Sequence, residues 1–189
     1  YGIPQPLHFP YQQGLRLPAI APLGACFIAW SSAGKLNQWL HAAQAHLGEW
    51  DEELDKRLRI SVIGIRARGF EVTLISDAER RFEQELAKPK ENWSLEEVAD
   101  HARRYREQLC ESNYHLDRIE KGRRYHVANI AVPVFGDGEE PELVISAGSI
   151  SNPISAEDIL AVAQRLQHAA ERITEAARAT LGFPGHHAE

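Results

Sequence analysis

Two β-branched, apolar runs near the C-terminal end stand out from the pattern of hydrophobic and polar positions. Tyr125–Phe135 (YHVANIAVPVF) is apolar apart from Asn129 in its middle, and Glu142–Ile150 (ELVISAGSI) is apolar with small residues. Gly136–Pro141 (GDGEEP) separates them and is a turn by composition, since glycine reaches positive φ freely and Asp bonds to nearby backbone. The spacing predicts an antiparallel hairpin. Two strands alone are marginal in water, so further strands and a covering helix are needed. Ser155–Leu181 supplies the helix, with Ile159, Val162, Ala163, Leu166, Ala170 and Ile173 on one wide stripe. Asp158, three residues after Ser155, makes a weak capping box, and Gly182-Phe-Pro ends the helix.

The upstream pattern mixes both periods. Gly14–Ala21 reads as a short strand, and Pro22–Trp30 as a helix with proline at its first position, where a missing N–H costs nothing. Ser31–Gly34 breaks the run. Lys35–Leu47 resumes a helix with Leu36, Trp39, Leu40 and Ala43 on one face. Gly48–Arg59 sets acids ahead of bases, as a solvated helical face does, and Ile60–Arg68 continues that helix to a terminal Gly69. Phe70–Ile75 alternates as a strand. Ser76–Lys90 is a charged helical stretch, and Ser94 with Glu97 caps a further helix to about Cys110. Asn113–Glu120 alternates and predicts another strand. Strands interspersed with helices, closing on an antiparallel pair, give an α+β fold with helices packed on one face of the sheet. By parity, His126, Ala128, Ile130, Val132 and Val134 meet the helices. Tyr125, Val127, Asn129, Ala131 and Pro133 then face the other way, a surface of small groups with one amide that suits a ligand.

Composition narrows the partners. The 189 residues carry a net charge of −6, so a basic face able to grip nucleic acid is not expected of this chain. No apolar run spans a bilayer and the opening residues do not read as a signal peptide; a cytoplasmic location is the expectation. The two cysteines, Cys26 and Cys110, read as unpaired thiols of a reducing compartment. The sequence has no methionine and begins in a Pro-rich arm, 1–13, so it is expected to be a piece of a longer protein. Residues 183–189 read as a tail. No nucleophile elbow, phosphate loop, zinc-protease motif or paired-cysteine motif occurs. His41 and His46 lie off a common helix face, so no metal and no cofactor is expected.

Three segments together resemble the effector-binding domain of the IclR family of bacterial transcriptional regulators. They are Leu15–Trp30 (LRLPAIAPLGACFIAW), Ile65–Val72 (IRARGFEV) and Val127–Ile150 (VANIAVPVFGDGEEPELVISAGSI), followed by the long helix in its expected place. The resemblance makes 14–182 the effector-binding domain, with 76–112 a helical insertion. It implies a GAF-like antiparallel sheet and a small organic acid or aromatic metabolite as effector. It also implies a homodimer or homotetramer that touches DNA only through an N-terminal winged helix-turn-helix absent here. Carried over by position, the pocket takes Leu23, Gly24, Asp117, Asn129, Ala131 and Ser146. The helix start near Pro22–Gly24 would offer N–H groups and a positive dipole end to a carboxylate. The expectation is a sensor and not an enzyme. Its rivals are a GAF-like enzyme, which would show a perturbed titratable cluster in the pocket, and a scaffold domain, which would fill that sheet face with its own side chains.

Overall fold

In the computed structural model, residues 19–46, 50–75, 95–111, 114–148, 150 and 153–181 are described. The central strand, β3 (Val127–Phe135), is flanked by β1 (Glu71–Leu74) and β4 (Pro141–Gly148), both antiparallel to it. A second small sheet pairs β2 (Arg124–Tyr125) with β5 (Ile154–Ser155) and leads into the long C-terminal helix α5 (Ala156–Leu181). Among the described residues the remaining helices are α1 (Ala25–Ile28), α2 (Ala33–His46), α3 (Glu52–Arg68) and α4 (Leu95–Glu111). The fold is α+β with small antiparallel sheets and a long C-terminal helix.

The apolar stripe of α5 lies across the β-branched side of β3. Ile130, Val132 and Val134 share one core with Ile159, Ala163 and Ala170, and Phe70, Val72, Tyr125 and Val127 complete it. Ser155 starts the helix as expected: its hydroxyl donates to Asp158 at 2.8 Å and accepts from the Asp158 backbone N–H at 3.1 Å. A second core joins α1, α2 and α3 through Ala25, Trp39, Leu40, Leu58, Val62 and Ile65, with Cys110 of α4 added. Asp51 caps α3 by accepting from the Leu54 N–H at 2.7 Å. Gly69 ends it at φ 82°, where its N–H donates to the Ile65 carbonyl at 2.9 Å.

Four expectations need correction. Val127 belongs to the α5 core, while His126 is exposed. The register shifts between Thr73 and Leu74, so that Leu74 pairs with Val127 and not with Ala128. That extra residue reverses the parity of everything before it. Tyr114–Glu120, the described part of the predicted Asn113–Glu120 strand, is no strand: His115 makes a single bridge with Thr73, fixed by Leu74 N–H to Tyr114 O at 2.8 Å and Leu116 N–H to Val72 O at 2.9 Å. Ala19–Ala21, the described part of the predicted Gly14–Ala21 strand, is a turn entry whose Ile20 carbonyl accepts from Leu23 N–H at 2.9 Å. The helix expected from Pro22 starts only at Ala25, after a cis Ala21–Pro22 bond and a left-handed Gly24, and has four residues. One turn carries little aligned dipole, so it offers no anchor for a carboxylate. The predicted arm 1–13, helix 76–90 and tail 183–189 lie outside the described residues.

Candidate functional site

One face of α3 is built differently from the rest. Arg57, Ser61, Gly64 and Arg68 recur at helical spacing; Ser61, Gly64 and Arg68 face the segment Tyr114–Asp117, and Arg57 reaches the end of α4. Ser61 Oγ donates to Asp117 Oδ1 at 2.7 Å. Arg68 donates to the Leu116 carbonyl at 2.8 Å and to the Phe70 carbonyl at 2.7 Å, so the Arg-x-Arg-Gly motif staples the helix end to both neighbours. Arg57 donates through Nη2 to the Cys110 carbonyl at the end of α4. From the opposite side, His115 Nε2 meets Glu71 Oε1 of β1 at 2.9 Å, with both side chains nearly buried.

These ties leave a cavity of about 330 Å³ between α3, the end of α4 and the 114–117 segment. Its polar lining includes Arg57, Ser61, His115, Asp117 and Arg123, and its apolar lining Leu58, Leu74, Leu109 and Leu116. Tyr125 closes one side; its hydroxyl accepts from the Glu120 N–H at 2.8 Å, and the Arg123 guanidinium lies 5.8 Å from its ring centre. The volume lies at the small end of ligand pockets, with apolar walls and a few polar groups, as such pockets require.

Burial dominates the electrostatics. It holds the Arg68 guanidinium below its usual range, against the pull of Glu71 and Asp117. It pushes the Cys110 thiol up to about 11, against Arg57 and Arg106, and raises the Cys26 thiol, with Glu71 adding to the rise. Both thiols are free, buried and protonated at neutral pH, so neither is poised as a nucleophile. Among the described residues no group of three His, Cys, Asp or Glu could hold a metal ion, and no helix is long and apolar enough to cross a membrane.

The residues expected from sequence fall in three places. Asp117 lies on the cavity wall. Leu23 and Gly24 sit in the turn beside Pro22, which borders the cavity, and the Leu23 carbonyl accepts from Trp39 Nε1 at 2.7 Å. Asn129, Ala131 and Ser146 share one sheet face through the pairs Thr73–Asn129 and Ala131–Ser146, and do not line the cavity. Ala131 is buried and Ser146 exposed, while Asn129 Oδ1 is buried without a hydrogen-bond partner.

Sequence reasoning passed over Arg57, Ser61, His115 and Arg123. Arg57 sits in a run that reads as a solvated face, yet Arg57, Ser61, Gly64 and Arg68 repeat at helical spacing along one face of the helix, which is a usable signal. Nothing local marks His115, because its partner Glu71 is 44 residues away. No family model matches the chain, and neither a curated protein nor a solved structure is similar to it.

Proposed function

We propose that this chain is the small-molecule effector-binding domain of an IclR-type, cytoplasmic DNA-binding regulator, and that the effector is a small organic acid or aromatic metabolite. The observation that carries the ligand half of this reading is the cavity itself. It is walled by Leu58, Leu109 and Leu116 and lined by Arg57, which donates to the Cys110 carbonyl, and by Arg123, whose guanidinium pairs with Glu120 at 2.7 Å; Asp117, the carboxylate among its described lining residues, accepts from Ser61. Apolar walls with cations in reach suit a small carboxylic acid. The α+β fold with its long C-terminal helix agrees with the GAF-like architecture that the three resembling segments imply, and the regulator half rests on those segments. DNA would be read by a separate winged helix-turn-helix, in a homodimer or homotetramer, and the effector would act by preferring one arrangement of that assembly.

Melting of the protein with benzoate, pyruvate and succinate tests the cavity. A ligand at about a hundred times its Kd adds about 2.7 kcal/mol. For a chain of this length that is a rise of roughly 5–10 °C. Ser61→Leu, which fills the cavity, should remove the rise. If no acid moves the wild-type melting temperature, the cavity is not an acid site. A scaffold domain predicts that outcome, together with stabilisation by Ser61→Leu.

A further inference from the structure

Most polar groups around the cavity are committed to the protein itself. Arg57 donates to the Cys110 carbonyl, Arg123 pairs with Glu120, and Ser61 donates to Asp117. His115 and Tyr125 differ. Both line the cavity, at 9% and 7% exposed, and each is committed at one end only.

His115 Nε2 meets Glu71 Oε1 at 2.9 Å. An ionised carboxylate only accepts, so Nε2 carries the proton of that contact, and the neutral ring keeps a lone pair on Nδ1. Among the described residues nothing pairs with Nδ1. The described side-chain atoms sealed from solvent without a partner are Thr73 Oγ1, Arg106 Nε and Nη1, and Asn129 Oδ1; His115 Nδ1 is not one of them. Nδ1 is therefore an open acceptor, and the space that its residue borders is the cavity.

Tyr125 is the converse. Its hydroxyl oxygen accepts from the Glu120 N–H at 2.8 Å, and among the described residues nothing accepts its proton. The residue is fixed by its pairing with Ile154 and by packing in the α5 core, so the hydroxyl keeps its place while the O–H turns about its bond. One wall thus carries an uncommitted donor and another an uncommitted acceptor.

We propose that the ligand of the cavity is a hydroxy acid, whose carboxylate accepts from the Tyr125 O–H and whose hydroxyl donates to His115 Nδ1. The proposal rests on the reading of the cavity as an acid site and names the class of acid. The phenol–carboxylate bond is charge-assisted, and the Arg123 guanidinium, 5.8 Å from the Tyr125 ring centre, adds positive potential beside it. Glu71 holds the His115 ring in one orientation, so the acceptor is aimed before the ligand arrives. An acid without a hydroxyl covers Nδ1 and leaves it unpaired, which is how a site selects for a hydroxyl.

The test is calorimetric titration of the full chain at pH 8, where an ordinary imidazole is neutral. The probes share one parent, phenylacetate, with mandelate and 3-hydroxyphenylacetate placing the hydroxyl near the carboxylate and far from it. At least one hydroxy acid should bind roughly fivefold or more tightly than phenylacetate, and its O-methyl ether should lose that gain. Tyr125→Phe should weaken the acids about tenfold, since a hydrogen bond to a charged group is lost. In the nitrogen NMR spectrum of the histidine rings, the same hydroxy acid should move the His115 Nδ1 resonance and phenylacetate should not. Should Tyr125→Phe fail to fold, the probe series and the ring spectrum of the wild type decide. Equal binding of all three acids, or an unmoved Nδ1 resonance, overturns the hydroxy-acid assignment and leaves the cavity as an acid site. Unchanged acid affinity in Tyr125→Phe overturns the Tyr125 anchor. Absence of binding by all three acids overturns both this proposal and the reading beneath it.

Discussion

Glu71 is the residue whose removal should most loosen the inner wall of the cavity. Its carboxylate meets His115 Nε2 at 2.9 Å, and each residue is 9% exposed. Two backbone hydrogen bonds between β1 and the 114–116 segment, Leu74 to Tyr114 and Leu116 to Val72, remain in any side-chain variant. Glu71→Ala therefore isolates the side-chain term. Losing a hydrogen bond to a charged group and stranding a buried ring nitrogen costs about 1.5–3 kcal/mol. The methylene lost beyond Cβ adds about 0.8 kcal/mol. The sum, about 2–4 kcal/mol, corresponds to roughly 5–15 °C in a chain of this size. Glu71→Gln keeps the shape and one acceptor, so it should lose no more than half as much. Urea denaturation at pH 7 reads both, with the slope unchanged if the transition stays two-state. If both variants fall within about 0.5 kcal/mol of the wild type, the pair does not hold the segment, and the cavity wall is supported by backbone alone.

Three other outcomes follow from separate elements. Gly69→Ala would place a Cβ 2.8 Å from Gln167 Nε2 at φ 82°, and should cost about 1–2 kcal/mol in chemical denaturation; a neutral result would mean that α3 ends differently. Hydrogen bonds from the Ser155 hydroxyl and backbone hold Asp158 below the usual carboxylate range. Because the folded value lies below the unfolded one, that capping contribution is present at neutral pH and lost as pH falls through the folded value. Ser155→Ala should return Asp158 toward its ordinary titration by carboxyl NMR, and an unmoved midpoint would refute the cap. With Cys110 near 11 and Cys26 raised by burial, iodoacetamide at pH 8 should label the native protein only as fast as it unfolds, and rapid labelling would contradict the burial of the thiols.

Local chemistry was legible in the sequence where it acts within a few residues. The Gly136–Pro141 turn, the Ser155 cap, the Gly69 stop and the α5 stripe each depend on neighbours within a turn or two of helix or strand. Three features were not. The β3 register reverses at a bulge opposite Thr73 and Leu74, which depends on pairing with a strand more than fifty residues earlier. Pro22 does open a turn, but Gly24 at φ 82° delays the helix and shortens it to one turn. The cavity is assembled from α3, α4 and the 114–117 segment, whose contacts span 44 to 56 residues, so alternation and composition carry no trace of it. Asp117 alone of the expected residues lies on its wall, and the sheet-face group of Asn129, Ala131 and Ser146 stands apart from it.

The most direct measurement of where a small acid sits is the backbone amide NMR spectrum titrated with benzoate. The account predicts that shifts concentrate on Arg57–Ser61, Leu109–Cys110 and Tyr114–Asp117, and that they saturate together. Shifts centred on Asn129, Ala131 and Ser146, or spread evenly along the chain, would contradict it.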